Sequence, residues 1–210
     1  MTRPGRTGWD VPGIYRHIAE QKQEPAEKLG WNSAEVQRAN FDVAFALALE
    51  AGVAPSASRV HDAGCGMAHL YDYLQEHGGV QHYVGTDASV EFLKQAAARH
   101  PTLTLLQVNL LSGAPASEAD ITFALGLLAF HHHRSIRQLL NTLWKSTKRV
   151  LIFNSWWTLE GFQMSETQDD IRAAVTSFLR EKERNDFAIS HVVEGSTYGT
   201  PSERMFALAR

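Results

Sequence analysis

The sequence predicts an α/β fold built on a doubly wound, mostly parallel seven-stranded sheet with helices on both faces. From residue 58 onward, short apolar runs alternate with stretches of helical spacing, and the first run ends at Gly64-Cys65-Gly66. Parallel strands need a crossover between them, usually a helix, so this alternation favours a parallel sheet. Two extended runs, 187–193 and 204–208, close the chain around a Gly- and Pro-containing stretch. They predict an antiparallel C-terminal edge strand.

Five apolar runs account for the parallel strands, and the two closing runs bring the total to seven. The five runs are 58–62, 81–87, 103–109, 120–127 and 149–154. The helices between and after them show apolar residues at helical spacing. They are predicted at 67–76, at 90–99 with Ser89 as N-cap, at 136–144, and after a capping box of Ser165 and Gln168. Only a short Gly- and Pro-containing stretch separates the third and fourth strands, so no strong crossover helix is predicted there.

Residues 1–57 are predicted to form a flexible leader and an N-terminal helical cap, and residues 58–210 the main domain of one globular unit. The first ten residues are polar and contain Gly and Pro, which is typical of a mobile terminus. Asn32 followed by Glu35 has the spacing of a capping box at a helix start. The apolar residues that follow lie roughly along one face until Gly52, which ends the helix.

Composition limits the partners that this chain is expected to have. Its 210 residues carry a formal net charge of -3, with no long block of like charges and no Lys/Arg-rich stripe. No run approaches the ~18 apolar residues of a membrane span. The single cysteine, Cys65, cannot form an internal disulfide. These features predict a cytoplasmic monomer or homodimer with a small-molecule partner, and no nucleic-acid or membrane partner.

The glycine-containing turn after the first strand and the acid that ends the second predict a nucleoside-cofactor site. Glycine has no Cβ, so Gly64 and Gly66 let the backbone turn tightly and approach a ligand. Asp87 closes the next strand beside that turn, where a carboxylate can accept hydrogen bonds from both ribose hydroxyls. A dinucleotide site would need a small residue where His69 stands. Asp62, two residues before Gly64, would also repel a pyrophosphate but attract an ammonium group.

This pattern resembles motif I of class I S-adenosylmethionine-dependent methyltransferases, with Ala68 where the third glycine usually stands. The runs 30–33, 70–74 and 150–154 also look like small bacterial members of unassigned substrate. The resemblance implies that S-adenosylmethionine is the cofactor and assigns it a set of residues. Asp62 and the Leu125 carbonyl would lie near its ammonium, and Gly64 and Gly66 near its methionine and ribose portions. Asp87 would bind the ribose hydroxyls. Ala88, Asn109 and Leu110 would lie at the adenine.

Three adjacent histidines follow the fourth strand, and the resemblance puts them close to the methyl acceptor. Neutral imidazole near pH 7 can take a proton from a nucleophile, so His131, His132 and His133 are the candidate catalytic bases, with a rate that rises through one ionisation near pH 6–7. Adjacent side chains point in different directions, so no metal site is predicted. The alternative interpretation is that these are polar residues opening a helix.

Aromatic residues predict the wall of an acceptor pocket. Trp156 and Trp157 follow the fifth strand, and Phe162 could extend their apolar surface; Tyr15 and Trp31 in the cap are weaker candidates, for which packing is the alternative. The predicted function is methyl transfer to an O, N or C nucleophile of a small, partly aromatic molecule. The alternatives are a protein or RNA methyltransferase and a noncatalytic cofactor-binding module of the same fold.

Overall fold

A computed structural model describes residues 10–112, 117–129, 131, 133–156, 168–183, 187–192 and 203–210. In these residues the chain forms one mixed sheet with helices around it. The strands are β1 Arg59–Ala63, β2 His82–Asp87, β3 Thr104–Gln107, β4 Ala119–Ala124, β5 Thr147–Trp156, β6 Phe187–Val192 and β7 Glu203–Ala209. The helices are α1 Val11–Gln21, α2 Pro25–Lys28, α3 Ala34–Glu50, α4 His69–Glu76, α5 Val90–Arg99, α6 His133–Ser146 and α7 Gln168–Glu183.

The sheet has the order β3-β2-β1-β4-β5-β7-β6. The first five strands are parallel, with Asp62 of β1 opposite Gly85 of β2 and Phe123 of β4. β7 runs antiparallel between β5 and β6. The predicted mostly parallel α/β sheet with an antiparallel strand at this edge is therefore confirmed. However, the antiparallel strand β7 lies one place inside the edge, because β6 pairs on its outer side.

Helices cover both faces of the sheet, as the alternating residues of β5 show. Val150 and Ile152 pack into one core cluster with residues of α3 and α4, such as Leu47. Leu151 and Phe153 pack into a second cluster with α6 and α7. Successive side chains of a strand point to opposite faces, so the two clusters lie on opposite sides of the sheet.

The segment before residue 58 divides into two parts with different positions. α3 packs beside β5 and β7 and contributes buried Phe41, Ala44 and Leu47 to the core, so it is a layer of the main domain. The part before α3 lines the cavity described below, as do Gln37 and Phe41 of α3 itself. The start of α3 also differs from the prediction: Ser33, not Asn32, is the N-cap, and its Oγ accepts from the Val36 N–H at 3.3 Å.

Two other boundaries differ for physical reasons. α4 begins at His69 rather than Met67, because Ala68 takes the left-handed conformation with φ +61°. β5 is longer than predicted, since its far end is paired with β7 through Trp156. The predicted N-cap Ser89 of α5 is confirmed, with its Oγ accepting from the Phe92 N–H at 3.3 Å. Among the described residues no helix is long and apolar enough to cross a bilayer.

Candidate functional site

A cavity of about 320 Å³ lies outside the carboxyl ends of the parallel strands, where open α/β sheets bind their ligands. Its walls come from the turns after β1, β2, β3 and β4 and from the N-terminal segment. Eleven of the predicted site residues line it together: Tyr15, Trp31, Asp62, Gly64, Gly66, Asp87, Ala88, Asn109, Leu110, Leu125 and His131. The volume falls in the range of small-molecule sites, roughly 300–1,000 Å³.

The turn after β1 is held tightly against the end of β2. The Thr86 carbonyl accepts from the N–H of Gly64 at 2.7 Å and from that of Cys65 at 3.0 Å. Gly64 and Gly66 both have positive φ, +78° and +52°. A Cβ on Gly66 would come within 2.6 Å of Cδ2 of Leu29. The positive φ favours glycine at both positions, and a Cβ at either one would displace the end of a leucine side chain, Leu127 at Gly64 and Leu29 at Gly66.

Asp87 joins this turn to the start of α5. One carboxylate oxygen accepts from the Gly66 N–H at 2.9 Å, and the other accepts from the Ser89 N–H at 2.8 Å. Burial raises the pKa of the Asp87 carboxyl, while backbone hydrogen bonds from Ser89, Gly66 and Ala88 oppose that rise. Each carboxylate oxygen has a further lone pair, so the group can accept hydrogen bonds from a ligand without losing these contacts.

Asp62 is buried, with 4% of its surface exposed, and lies on the same cavity. Its Oδ2 accepts from the Tyr83 hydroxyl at 2.5 Å. Burial raises the pKa of Asp62 to about 7, against the lowering effect of the Tyr83 bond. A cation beside this carboxyl would favour its ionised form. The site is thus suited to an ammonium group.

The adenine side of the predicted site is formed by a short 3₁₀ turn, Leu110–Ser112, in place of a crossover helix. The Asn109 Oδ1 accepts from the Leu111 N–H at 3.0 Å, which fixes the amide at the start of this turn. The Ala88 carbonyl accepts from the Gln107 Nε2 at 3.3 Å. Asn109 is therefore a turn residue on the cavity wall, and its predicted bond to adenine would use the second lone pair of the oxygen.

Two residues of the N-terminal segment touch the turn after β4. The Tyr15 hydroxyl donates to the Gly126 carbonyl at 3.0 Å. A Cβ on Gly126, where φ is +72°, would lie 3.1 Å from the Trp31 ring. Trp31 is buried and meets Phe41 edge-on at 6.4 Å between ring centroids. Both aromatics pack on the site and line the cavity, so packing and ligand contact are compatible at these positions.

The three histidines do not share one environment. His131 lines the cavity with 7% of its surface exposed, and burial lowers its pKa to about 4. His133 is the first residue of α6, which fits the alternative interpretation of a helix opening. His132, like Trp157 and Phe162, lies outside the described residues. Trp156 is the last residue of β5, and the description of that position is limited to its backbone.

A low pKa for His131 changes the predicted pH dependence. The imidazole would be neutral above about pH 4, so no ionisation of His131 near pH 6–7 is expected. In the described part of the chain, no group of three or more His, Cys, Asp or Glu side chains is arranged to hold a metal ion.

Sequence reasoning missed a polar pair on the cavity wall. His69 Nδ1 lies 2.9 Å from Oε1 of Gln37, which is a buried residue of α3. In the sequence, His69 is notable only as a poor fit for a dinucleotide turn. Gln37 carries no local signal, because a glutamine in a helix is usually exposed. Leu29 and Leu127, which cover the two glycines, were missed for the same reason: only the tertiary structure places them there.

Comparisons with known proteins agree on one family. A family model described as a methyltransferase domain matches residues 60–150. The trans-aconitate 2-methyltransferase of Rhodopseudomonas palustris (strain BisB5) is 28% identical over 87 residues, which are 40% of this chain and 34% of that protein. Both matches support the predicted class I S-adenosylmethionine-dependent methyltransferase. The chain spans about a third of the length of that curated relative.

Solved methyltransferase structures share the fold over nearly the whole chain. The N-methyltransferase NodS from Bradyrhizobium japonicum WM9, in complex with S-adenosyl-L-homocysteine, matches with a TM-score of 0.70 at 12% identity, covering 96% of this chain and 99% of that one. The magnesium protoporphyrin IX methyltransferase of Synechocystis PCC 6803 with bound SAH matches with a TM-score of 0.65 at 17% identity, covering 96% and 95%. These structures share the fold of this chain, and the S-adenosylhomocysteine bound in both agrees with S-adenosylmethionine as the predicted cofactor.

Proposed function

We propose that this methyltransferase moves the methyl group of S-adenosylmethionine to an O, N or C nucleophile of a small, partly aromatic molecule. The observation that carries the proposal is the contact between the turn after β1 and Asp87 on one wall of the cavity, where the Gly66 N–H donates to the carboxylate at 2.9 Å. This contact unites the two features that predicted a nucleoside cofactor from sequence.

The chemistry of the cavity fits this cofactor. Two carboxylates, Asp62 and Asp87, suit an ammonium group and ribose hydroxyls, and both would repel the phosphates of a dinucleotide. Gly64 and Gly66 offer backbone without side chains, and we assign them to the methionine and ribose portions. Ala88, Asn109 and Leu110 are assigned to adenine, and the Leu125 carbonyl to the ammonium. When bound, S-adenosylmethionine supplies an electrophilic methyl group on a sulfonium centre.

The protein's own contribution is alignment of the acceptor. Holding two reactants in a productive pose can supply roughly 7–11 kcal/mol of the barrier. Tyr15 and Trp31, together with Phe41, give the cavity aromatic walls, which supports a partly aromatic acceptor. Among the described residues, His131 is the predicted base that lines this cavity. Its imidazole is neutral above about pH 4 and can then take a proton.

The matched proteins act on acceptors of several classes. The names of the matched proteins cover trans-aconitate, magnesium protoporphyrin IX and ribosomal protein L11, the last with a TM-score of 0.55. Methylation of a protein or RNA and noncatalytic cofactor binding are therefore the competing outcomes of the test. Trp156, Trp157 and Phe162 stay predicted acceptor contacts.

The test is turnover of S-adenosylmethionine with a panel of small phenols, aromatic amines and unsaturated carboxylic acids. We expect release of S-adenosylhomocysteine that depends on one acceptor class, and a methylated product of the matching mass. Binding of S-adenosylmethionine without turnover, including with cell protein and RNA as acceptors, would instead support the noncatalytic module. Absence of binding would contradict the cofactor assignment itself.

A further inference from the structure

A chain of hydrogen bonds crosses the protein beneath the turn after β4. On α3, Asn40 Nδ2 donates to the Val36 carbonyl at 3.1 Å. Asn40 Oδ1 accepts from Asn154 Nδ2 at 3.2 Å, and Asn154 Oδ1 accepts from the Gly126 N–H at 2.7 Å. The Gly126 carbonyl accepts from the Tyr15 hydroxyl at 3.0 Å. These hydrogen bonds therefore connect α3, β5, the turn after β4 and α1.

The two amides at the centre of this chain are not needed to fill the core. Asn40 and Asn154 are each 1% exposed. Burying an amide is costly unless its hydrogen bonds are made, and a paired polar group contributes only about 0.5–1.5 kcal/mol net. Two apolar side chains of similar size would serve packing as well. What the pair adds is direction, because each amide fixes the orientation of the next group.

The group whose direction is fixed is the peptide unit between Leu125 and Gly126. In a trans peptide the N–H and the C=O point in opposite directions. The Gly126 N–H points at Asn154 Oδ1, so the Leu125 carbonyl points away from Asn154. Leu125 and Gly126 both line the cavity. Gly126 also has φ +72°, a conformation that leaves the turn dependent on such anchors.

We propose that Asn154 is a positioning residue, which orients the Leu125–Gly126 peptide so that the Leu125 carbonyl receives the ammonium group of the cofactor. This inference rests on the proposed function, which places that ammonium at Leu125. Asn154 itself lies behind the turn and is absent from the cavity lining in the described residues. Asn40 holds the Asn154 amide in the orientation that presents its oxygen to Gly126.

Two ligands separate this role from general stability. S-adenosylhomocysteine carries the amino-acid portion with its ammonium, whereas 5′-methylthioadenosine has the same adenosine and lacks that portion. Calorimetry gives, for each protein, the dissociation constant of 5′-methylthioadenosine divided by that of S-adenosylhomocysteine. This ratio falls when binding of S-adenosylhomocysteine alone is weakened. We expect Asn154→Leu to weaken S-adenosylhomocysteine by about ten-fold or more, the range of a hydrogen bond to a charged group, and to leave 5′-methylthioadenosine nearly unchanged.

The matched control is Thr147→Val, at the other end of β5. Thr147 is also 1% exposed, and its Oγ1 donates to Thr122 Oγ1 at 2.8 Å. It should lower the melting temperature and leave the ratio as in the parent. The double variant Asn40→Leu/Asn154→Leu leaves no stranded side-chain amide and provides the measurement if the single variant does not fold. Its ratio should be as low as that of Asn154→Leu.

A parental ratio in the folded Asn154→Leu protein, or in the double variant, would overturn the positioning role and leave the proposed function intact. If the double variant recovers the parental ratio, the single variant's loss came from the stranded Asn40 amide, and the positioning role is also wrong. If the parent protein binds neither ligand, the proposed function fails and this inference fails with it.

Discussion

The cavity wall proposed to hold the cofactor (the cofactor side) and the wall proposed to face the acceptor (the acceptor side) are built in different ways. On the cofactor side, the turn after β1 and the end of β2 are locked by hydrogen bonds between neighbouring strands, with Thr86 and Asp87 as acceptors. On the acceptor side, His131 and the aromatics of the N-terminal segment come from distant parts of the chain. One tie of α1 to the strand ends is the hydrogen bond from the Tyr15 hydroxyl to the Gly126 carbonyl.

This difference indicates which parts of the sequence determine cofactor binding and which determine acceptor binding. A short local motif is enough to shape the cofactor side, because adjacent parallel strands bring Gly66 and Asp87 together. The acceptor side depends on long-range packing that can vary without disturbing the sheet. We therefore expect cofactor-side substitutions to affect binding of the cofactor and acceptor-side substitutions to affect turnover.

The largest effect should come from Gly66→Val, which would break the cofactor side. The residue has φ +52°, which strains a β-branched side chain, and its Cβ would lie 2.6 Å from Cδ2 of Leu29, so valine would strain the turn and push the Leu29 side chain aside. We expect no measurable S-adenosylmethionine binding by calorimetry, with a folded protein by circular dichroism. The matched control is Gly52→Val, which has φ +72° and open space around its Cβ. It should lose stability and keep binding; equal loss of binding in both variants would contradict the account.

The next effect concerns the acceptor side. If His131 is the base, His131→Ala should lower kcat by about 10²-fold or more and spare the dissociation constant of the cofactor. Because burial lowers the pKa of His131 to about 4, we expect kcat to be constant between pH 5 and 8 if His131 is the base, and to fall towards pH 4. Parental kcat in the variant would exclude His131 as the base. A parental rate rising with a midpoint at pH 6–7 would point to another group.

A smaller loss is expected for Asp87→Ala, which removes the predicted ribose acceptor. A hydrogen bond to a charged group contributes about 1.5–3 kcal/mol, or roughly 10- to 100-fold in affinity. Asp120→Ala is the control, since Asp120 accepts from the Arg59 N–H at 2.9 Å on the opposite end of the sheet. Calorimetry with S-adenosylmethionine should separate the two variants. Unchanged affinity in a folded Asp87→Ala protein would refute the ribose assignment.

The smallest expected effect is the proton release that accompanies cofactor binding, and it tests the role of Asp62 on the cofactor side. Burial raises the pKa of its carboxyl to about 7, so about half of it is ionised at pH 7. An ammonium beside it favours the ionised form, so binding should release about half a proton at pH 7, and affinity should weaken as the pH falls below 7. Calorimetry in buffers of different ionisation enthalpy measures this release. Asp62→Asn should abolish it, and a parent that releases no proton would place the ammonium elsewhere.

Much of the fold could be predicted because local patterns agree with tertiary structure. The helix Val90–Arg99 and its cap Ser89 were predicted at their observed bounds, since an N-cap and an apolar stripe are both local signals. The cap at Ser33 was missed because Asn32 has equal propensity and a better spaced acid. The length of β5 was missed because it depends on pairing with β7, some fifty residues further along the chain.

The same contrast holds for the site. Gly66 and Asp87 could be found because glycine spacing and a strand-end acid are visible in sequence. The Asn40–Asn154 pair and the Gln37–His69 pair could not, because their partners are over thirty residues apart and neither residue type marks a site. The low pKa of His131 could not be predicted, because its burial follows from packing rather than from its neighbours in sequence.

The most direct test of the central claim is a crystal structure of this protein with S-adenosylhomocysteine. We predict that the nucleoside lies in the cavity outside the strand ends, with both ribose hydroxyls within hydrogen-bond distance of Asp87 and the ammonium at the Leu125 carbonyl. A nucleoside bound elsewhere, or one whose ribose makes no contact with Asp87, would contradict the account.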